Sequence, residues 1–395
     1  MAGGKTMRNI IFLGLVSMFA DISSEMVYPI IPLYLTSVFG VTPTLVGVIE
    51  GIAESIASLL KVFSGYLSDK YKRKKRLAFI GYAMGIFYKL ALLVAGSWVG
   101  ILGARVIDRL GKGIRTAPRD VLVSESADKT QMGKAFGVHK ALDMAGSAIG
   151  IFLSFLLVRA IGNQKSYKTI FLLSLIPIFI ALFMFLFVKE KKEPHEIRNR
   201  DYFWRNIKLL DKQLYLYLFV AFLFTLGNSS NTFLLLRAVN IGFSNSDTIL
   251  LYFIYNLTAS ILAIPLGKLS DRVGRKHLLV SGYLVFSVVY FGFAFTDSKI
   301  VMILIFLLYG VFTAMTAGVE RAFIAEISPK ELKGTMLGLH ATLVGVALLP
   351  ASAFAGVLWD KIGSFAPFAF GAVLSLLAAL ILGLFMKKKL HYTTV

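Results

Sequence analysis

Gly65-Tyr66-Leu67-Ser68-Asp69-Lys70 closes one apolar stretch of this chain, and Gly267-Lys268-Leu269-Ser270-Asp271-Arg272 closes another 202 positions later. Each runs into a basic cluster, Lys72-Arg73-Lys74-Lys75-Arg76 in the first case and Arg275-Lys276-His277 in the second. A charged turn repeated at half the length of an apolar chain predicts two similar helical bundles. A second echo supports this. Glu125, Lys129, Gly133, Gly137, His139 and Leu142 recur as Glu326, Lys330, Gly334, Gly338, His340 and Leu343 at a constant offset of 201. Both echoes fall at the cytoplasmic ends of equivalent segments, so each half is expected to hold six helices.

Of the 395 residues, 57% are hydrophobic, far more than a soluble protein of this size carries, so the bilayer is the expected solvent. Apolar runs close to the ~20 residues that cross a hydrocarbon core recur along the whole chain. They fall near 9–36, 42–68, 77–96, 98–122, 132–159, 167–188, 213–238, 247–270, 277–296, 299–325, 333–358 and 364–386. The expected fold class is an all-α polytopic membrane protein with twelve transmembrane helices in two pseudo-symmetric six-helix bundles. Its expected domains are 1–188 and 213–395, joined by a polar cytoplasmic linker at 189–212. Within the linker, Trp204 to Leu210 reads either as a short amphipathic surface helix or as a plain tether.

The net charge of +20 is not spread evenly. Lys and Arg crowd alternate connections, Lys70 to Arg76, Lys189 to Lys212, Arg272 to Lys276 and the tail Lys387-Lys388-Lys389, while those around Gly40, Ser97 and Phe243 are nearly free of them. That bias places both termini in the cytoplasm, and a bacterial inner membrane is the simplest setting. A nucleic-acid partner would require bases interleaved with aromatics on a soluble face, and no such pattern occurs. There is no cysteine, so disulfide and thiol chemistry are excluded. The first apolar run lacks a small-residue cleavage site and reads as a spanning helix.

The run Gly267 to Lys276, with its Gly-x-Leu-x-Asp-Arg-x-Gly-Arg-Lys pattern, resembles the loop signature of the major facilitator superfamily. The copy at Gly65 to Lys75 departs from it, with Lys70 in place of Arg and Lys72 in place of Gly. The resemblance implies a secondary transporter working by alternating access. It also implies that Asp69 faces a helix N-terminus and nearby arginines as part of a cytoplasmic latch. A carboxylate so placed gains about 0.3–1 kcal/mol from the helix dipole, and Arg73 adds a charge-assisted bond. The expected latch residues are Gly65, Asp69, Arg73 and Asp120 in the first half and Gly267, Asp271, Arg272 and Arg275 in the second.

The fourth span is the most unusual. Arg105, Asp108, Arg109 and Lys112 recur at i, i+3, i+4 and i+7 and form one charged stripe, with Arg115 beyond it. Each charge costs about 2.5–3.5 kcal/mol at the bilayer centre, so the stripe must face protein or water. Arg105, Gly111 and Gly113 resemble the superfamily's fourth-helix pattern, which in relatives is tied to proton transfer. Counter-charges stand one turn apart in the first span (Asp21, Glu25) and in the second (Glu50, Glu54). His139, Lys140 and Asp143 cluster in the fifth. By depth, Asp21 falls level with Arg109. Acids so close in a low-dielectric site repel, and Asp21, Glu25, Glu50, Glu54, Asp108 and Asp143 are therefore the expected proton-coupling set. A static buried ion network is the other reading of the same groups.

The second half has few ionisable groups at depth, chiefly Glu320, Arg321 and His340. It offers Asn228, Ser229, Ser230 and Asn231, then Tyr252, Tyr255 and Asn256, uncharged groups that either orient an amphipathic solute or act as interhelical glue. Gly146-Ser147-Ala148-Ile149-Gly150 in the fifth span resembles the antiporter signature of the superfamily, with Ser147 in place of proline, and reads more simply as a close-packing stripe. No Walker loop, metal spacing or nucleophile–base set is present, so the expectation is not an enzyme, with no cofactor.

The leading expectation is a monomeric, proton-coupled efflux carrier, an antiporter for an amphipathic compound. Its substrate site would draw on Arg105, Arg109, Lys112, Asn228, Asn231, Tyr255 and Asn256. The second expectation is uptake or exchange of an anionic solute held by Arg105, Arg109, Lys112 and Arg115. Outside transport, a membrane sensor is the alternative, although no soluble output domain is evident.

Overall fold

The structure is a computed structural model and describes residues 2–71, 74–127, 132–190, 212–328 and 333–386. Every regular element among them is helical. The first half holds α1 (Ala2–Val27), α2 (Ile30–Phe39), α3 (Pro43–Tyr71), α4 (Lys74–Val94), α5 (Trp98–Glu125), α6 (Met132–Ile161), α7 (Asn163–Leu173) and α8 (Leu175–Leu186). The second holds α9 (Lys212–Gly227), α10 (Thr232–Asn240), α11 (Asn245–Val273), α12 (Arg275–Phe295), α13 (Lys299–Thr316), α14 (Val319–Ile327), α15 (Lys333–Lys361) and α16 (Ala366–Phe385).

Some spans consist of two helices in series. The first span breaks at Tyr28-Pro29, where proline supplies no N–H and crowds the preceding turn. The seventh breaks at Asn228 to Asn231, where short polar side chains compete with the backbone ladder. Ser230 donates its N–H to Ser352 Oγ at 3.2 Å there, outside the helix ladder. The tenth span breaks at Ala317-Gly318, between α13 and α14.

Among the described residues, 11 stretches are long and apolar enough to cross a bilayer. The missing one is α5, whose charges disqualify it by composition. Its 28 residues nevertheless extend roughly 42 Å, longer than a ~30 Å hydrocarbon core. With α5 counted, the protein is an all-α polytopic membrane protein of twelve spans in two bundles. Large apolar side chains such as Phe87, Ile264, Ile300 and Leu384 are exposed, which suits lipid and would be costly in water.

The chain divides into two compact units. One comprises Met1–Val41, Ile52–Ile197 and Ser244–Phe253; the other comprises Thr42–Gly51, Arg198–Phe243 and Ile254–Val395. In the first, Leu13 and Val16 of α1, Tyr82 of α4, Leu122 and Val123 of α5 and Phe185 of α8 form a closed apolar core. In the second the core is aromatic, with Phe224 stacked on Tyr283 at 4.1 Å and Phe286 on Tyr290 at 3.8 Å. The linker stretch Trp204 to Leu210 lies outside the described residues.

Candidate functional site

The charged stripe of α5 lies inside the first unit and is almost entirely engaged there. Arg105 is 1% exposed, and its Nη1 lies 3.6 Å from Asp108 Oδ2. Arg109 approaches the same oxygen through Nη1 at 3.4 Å and reaches Glu54 Oε1 on α3 through Nη2 at 2.5 Å. Both guanidinium groups lie over the ring of Tyr28, 5.4 and 5.9 Å from its centroid. Tyr28 owes this position to the α1–α2 break. Two turns on, Arg115 stands over Tyr82 at 4.6 Å, and its Nη2 lies 3.9 Å from Asp21 Oδ1. A pocket opens between these groups. Its walls are Asp21, Ser24, Glu25 and Tyr28 of the first span, and Arg105, Asp108, Arg109, Lys112 and Arg115 of α5. Lys112 is exposed, and Glu25 Oε2 is buried without a hydrogen-bond partner among the described residues.

Beside this pocket two carboxyl groups meet. Asp21 of α1 and Asp143 of α6 are within hydrogen-bonding reach of each other. Asp143 also accepts from Ser17 Oγ at 2.7 Å and from Lys140 Nζ at 3.2 Å, and lies 3.9 Å from Arg119 Nη1. Arg119 in turn donates to Ser17 Oγ at 3.1 Å and to Asp120 at 2.9 Å. The helices come this close because α6 presents glycine to α1. A Cβ on Gly146 would lie 2.3 Å from Met18 O, and one on Gly150 would lie 2.6 Å from Ile22 O.

The second unit holds an uncharged cluster at its helix break. Tyr309 Oη donates to Asn231 Oδ1 at 2.7 Å, and Asn231 Nδ2 donates to Tyr255 Oη at 3.4 Å. The Tyr255 and Tyr309 rings lie 4.9 Å apart. Asn228 lies in the break itself, while Asn256 follows Tyr255 on α11, and successive helical residues do not share a face.

Comparison with known proteins agrees with this architecture. The Major Facilitator Superfamily matches residues 13–238 and 217–393. The chain belongs to the major facilitator superfamily. An uncharacterised MFS-type transporter of Methanocaldococcus jannaschii is 40% identical over 381 residues, covering 95% of this chain and 94% of that protein. A multi-drug resistance efflux pump PmrA homologue of Lactococcus lactis is 24% identical over 346 residues, covering 82% and 81%. Among solved structures, the nucleoside transporter NupG superposes with a TM-score of 0.83 at 11% identity, covering 96% of this chain and 100% of that one, a likeness of fold. As a superfamily member the protein is a membrane transporter and not an enzyme.

The superfamily's loop signature in the second half carries a charge chain. Arg275 Nη2 binds Asp271 Oδ1 at 3.1 Å, and its Nη1 binds Glu326 Oε2 at 2.9 Å. Arg272 is exposed in the last turn of α11, next to Asp271, and Gly267 lies earlier on the same helix. The side chains of Asp69 and Arg73, and the surroundings of Gly65, lie outside the described residues. Asp120 is held by its neighbour Arg119.

The acids predicted from sequence do not all gather where depth suggested. Asp21 pairs with Asp143 and Arg115, not with Arg109, because α1 packs along α6 and meets α5 lower on the stripe. Glu54 takes Arg109, whereas Glu50, one turn earlier on α3, is buried at 1% exposure. Sequence reasoning missed two groups. One is Tyr28, for which Pro29 next to an aromatic inside an apolar run was a usable signal. The other is Lys89 of α4, fully buried over the Tyr88 ring at 4.8 Å, with no hydrogen-bond acceptor for Nζ among the described residues.

Proposed function

We propose that this superfamily transporter is proton-coupled and that the Asp21–Asp143 pair carries the proton. The observation that supports this is the meeting of the two carboxyl groups. Two carboxylates in contact cannot both ionise, and they hydrogen-bond only with a proton between them. Asp143, held by Ser17, Lys140 and Arg119, is the fixed member. Asp21, facing the pocket and loosely paired with Arg115, is the exchanging one.

The pocket's lining favours a small polar solute with an anionic group over the amphipathic compound expected from sequence. Ligand pockets are mostly apolar with few polar groups, and this one is walled by Arg105, Arg109, Lys112 and Arg115 against Asp21, Glu25 and Asp108. When Asp21 takes up a proton, Arg115 loses a counter-charge and becomes available to a carboxylate or phosphate oxygen. Proton and anion would then cross together by alternating access, with 1–188 and 213–395 as the two bodies, both termini cytoplasmic, and the Asp271–Arg275–Glu326 chain as part of the cytoplasmic latch. Efflux remains a second reading, favoured by the relative described as a multi-drug resistance efflux pump.

The test begins with a stability screen of the purified protein against small carboxylates, phosphates and amphipathic cations at several pH values. Flux of the stabilising solute is then followed in proteoliposomes. Asp21→Asn and Asp143→Asn should each abolish flux driven by a proton gradient while sparing solute exchange. Unchanged pH dependence in both variants would reject the coupling, and stabilisation by amphipathic cations alone would reject the anionic solute.

A further inference from the structure

We propose that the second unit has a proton-binding site of its own, in which Glu320 takes up a proton against the hydroxyls of Tyr283 and Tyr217. Glu320 lies in the first turn of α14, directly after the Ala317-Gly318 break. Tyr283 Oη of α12 donates to its Oε1 at 3.2 Å. Tyr217 of α9 is fully buried, its Oη has no hydrogen-bond partner among the described residues, and it lies within electrostatic reach of the Glu320 carboxyl. His340 of α15 stacks on the Tyr217 ring at 6.0 Å.

Arg321 acts on this carboxyl electrostatically but makes no ion pair with it. Glu320 makes no ion pair among the described residues. Arg321 is the next residue on the same helix and is exposed, on a different face. Of the helices packed against α14, α12 brings Tyr283 and Arg275, and Arg275 is committed to Asp271, Glu326 and the Ala322 carbonyl. α15 brings His340, and α13 brings Tyr309, which is committed to Asn231. The dipole at the start of α14 favours an anion but offsets only a fraction of the cost of a charge inside a membrane helix. A proton removes that charge without needing added space. The protonated carboxyl also gains an O–H donor, for which Tyr217 Oη, unpartnered among the described residues, is an available acceptor.

The internal repeat sharpens the contrast. At the same offset of 201, Tyr283, Glu320 and His340 correspond to Tyr82, Arg119 and His139. In the first unit that position is a guanidinium supporting Asp143. In the second it is a carboxyl flanked by phenols, so the two units hold ionisable groups of opposite kind at the same place in the fold.

The experiment is infrared difference spectroscopy of the full chain in lipid nanodiscs, titrated over pH in sodium-free buffer. A protonated-carboxyl C=O band should be lost in Glu320→Gln and retained in Asp21→Asn, which separates this site from the coupling pair. Tyr283→Phe should displace the band, because its phenol bonds Oε1. A Glu320→Gln spectrum identical to that of the parent protein at every pH would overturn the proposal. So would collapse of the band on adding sodium at constant pH, which would make the site one for a metal cation. If Glu320→Gln does not fold, Tyr283→Phe and Tyr217→Phe decide, and a band unmoved in both overturns it.

Discussion

Replacing Gly146 with alanine tests whether the approach of α1 and α6 sets the carboxyl pair. The new Cβ would lie 2.3 Å from Met18 O and 2.9 Å from Met18 Cα, both main-chain atoms that no side-chain rotation can move away. Relief therefore requires the two helices to part by about 1 Å locally, an overpacking that typically costs 1–3 kcal/mol. Alanine also gains about 1 kcal/mol over glycine in a helix, which obscures the penalty in a single variant. Gly137 removes that ambiguity. It lies on the same helix, and nothing stands within 4 Å of where its Cβ would be, so Gly137→Ala carries the propensity gain alone. The difference between the two variants should be about 1–3 kcal/mol against Gly146→Ala, read from reversible denaturant unfolding in mixed micelles. Asp143 and Asp21 each lie one turn from the clash, so parting the helices also pulls the two carboxyls apart. Proton-driven flux in Gly146→Ala should thus fall further than in a variant of equal stability altered elsewhere. Equal stability of the two alanine variants, within about 0.5 kcal/mol, would refute the reasoning.

Arg109→Met removes the base that binds Glu54 and leaves Asp108 with Arg105, and should cost about 3–5 kcal/mol in the same unfolding assay. Adding Glu54→Gln should recover part of that loss. Lys89→Met replaces a fully buried ammonium that lacks a hydrogen-bond acceptor with an apolar chain of similar length, and stability should be unchanged or rise by about 1–4 kcal/mol. A loss above about 1 kcal/mol would show that Lys89 has a partner that matters. Arg275→Gln cuts two half-exposed pairs, so stability should fall by no more than about 1 kcal/mol per pair. Spin-label distances across the cytoplasmic ends should nevertheless shift in that variant if the chain Asp271–Arg275–Glu326 acts as a latch.

The spans were legible because hydropathy depends on local composition, which the chain states directly. The stripe on α5 was legible for a related reason. Arg105, Asp108, Arg109 and Lys112 can share a face only on a helix, and lipid forbids that face, so its turning toward protein or water followed from spacing alone. The pairing of the charges was not legible. Asp21 and Asp143 lie 122 positions apart, and their meeting depends on the register of α1 against α6, fixed by Gly146 against Met18 and Gly150 against Ile22. Depth counted from span ends cannot resolve a turn or two, and less than two turns of α5 separate Arg109 from Arg115, beside which Asp21 lies. Lys89 escaped notice because a single lysine in an apolar run reads as a side chain that snorkels to the interface. Only the packing of α4 against α5 shows that its amine stays inside.

On the proposed mechanism, the first unit would link the proton to the solute through one arginine. Arg105 and Arg109 share Asp108 and stand over Tyr28, and Arg109 also binds Glu54, so its charge is spent on holding α5 against α3. Arg115 is different, since its acidic neighbour in the pocket is Asp21 at 3.9 Å. At an effective dielectric of 20, a full charge pair at that distance interacts by about 4 kcal/mol, an upper bound on what protonating Asp21 can transfer to an incoming anion. Solvent and the neighbouring Lys112 reduce it, toward the 1–3 kcal/mol typical of coupling between two ligands. That coupling is reciprocal: a bound anion must raise the pocket's affinity for the proton by the same factor. On the proposed mechanism, coupling of this size is enough to favour binding both proton and anion over binding either alone.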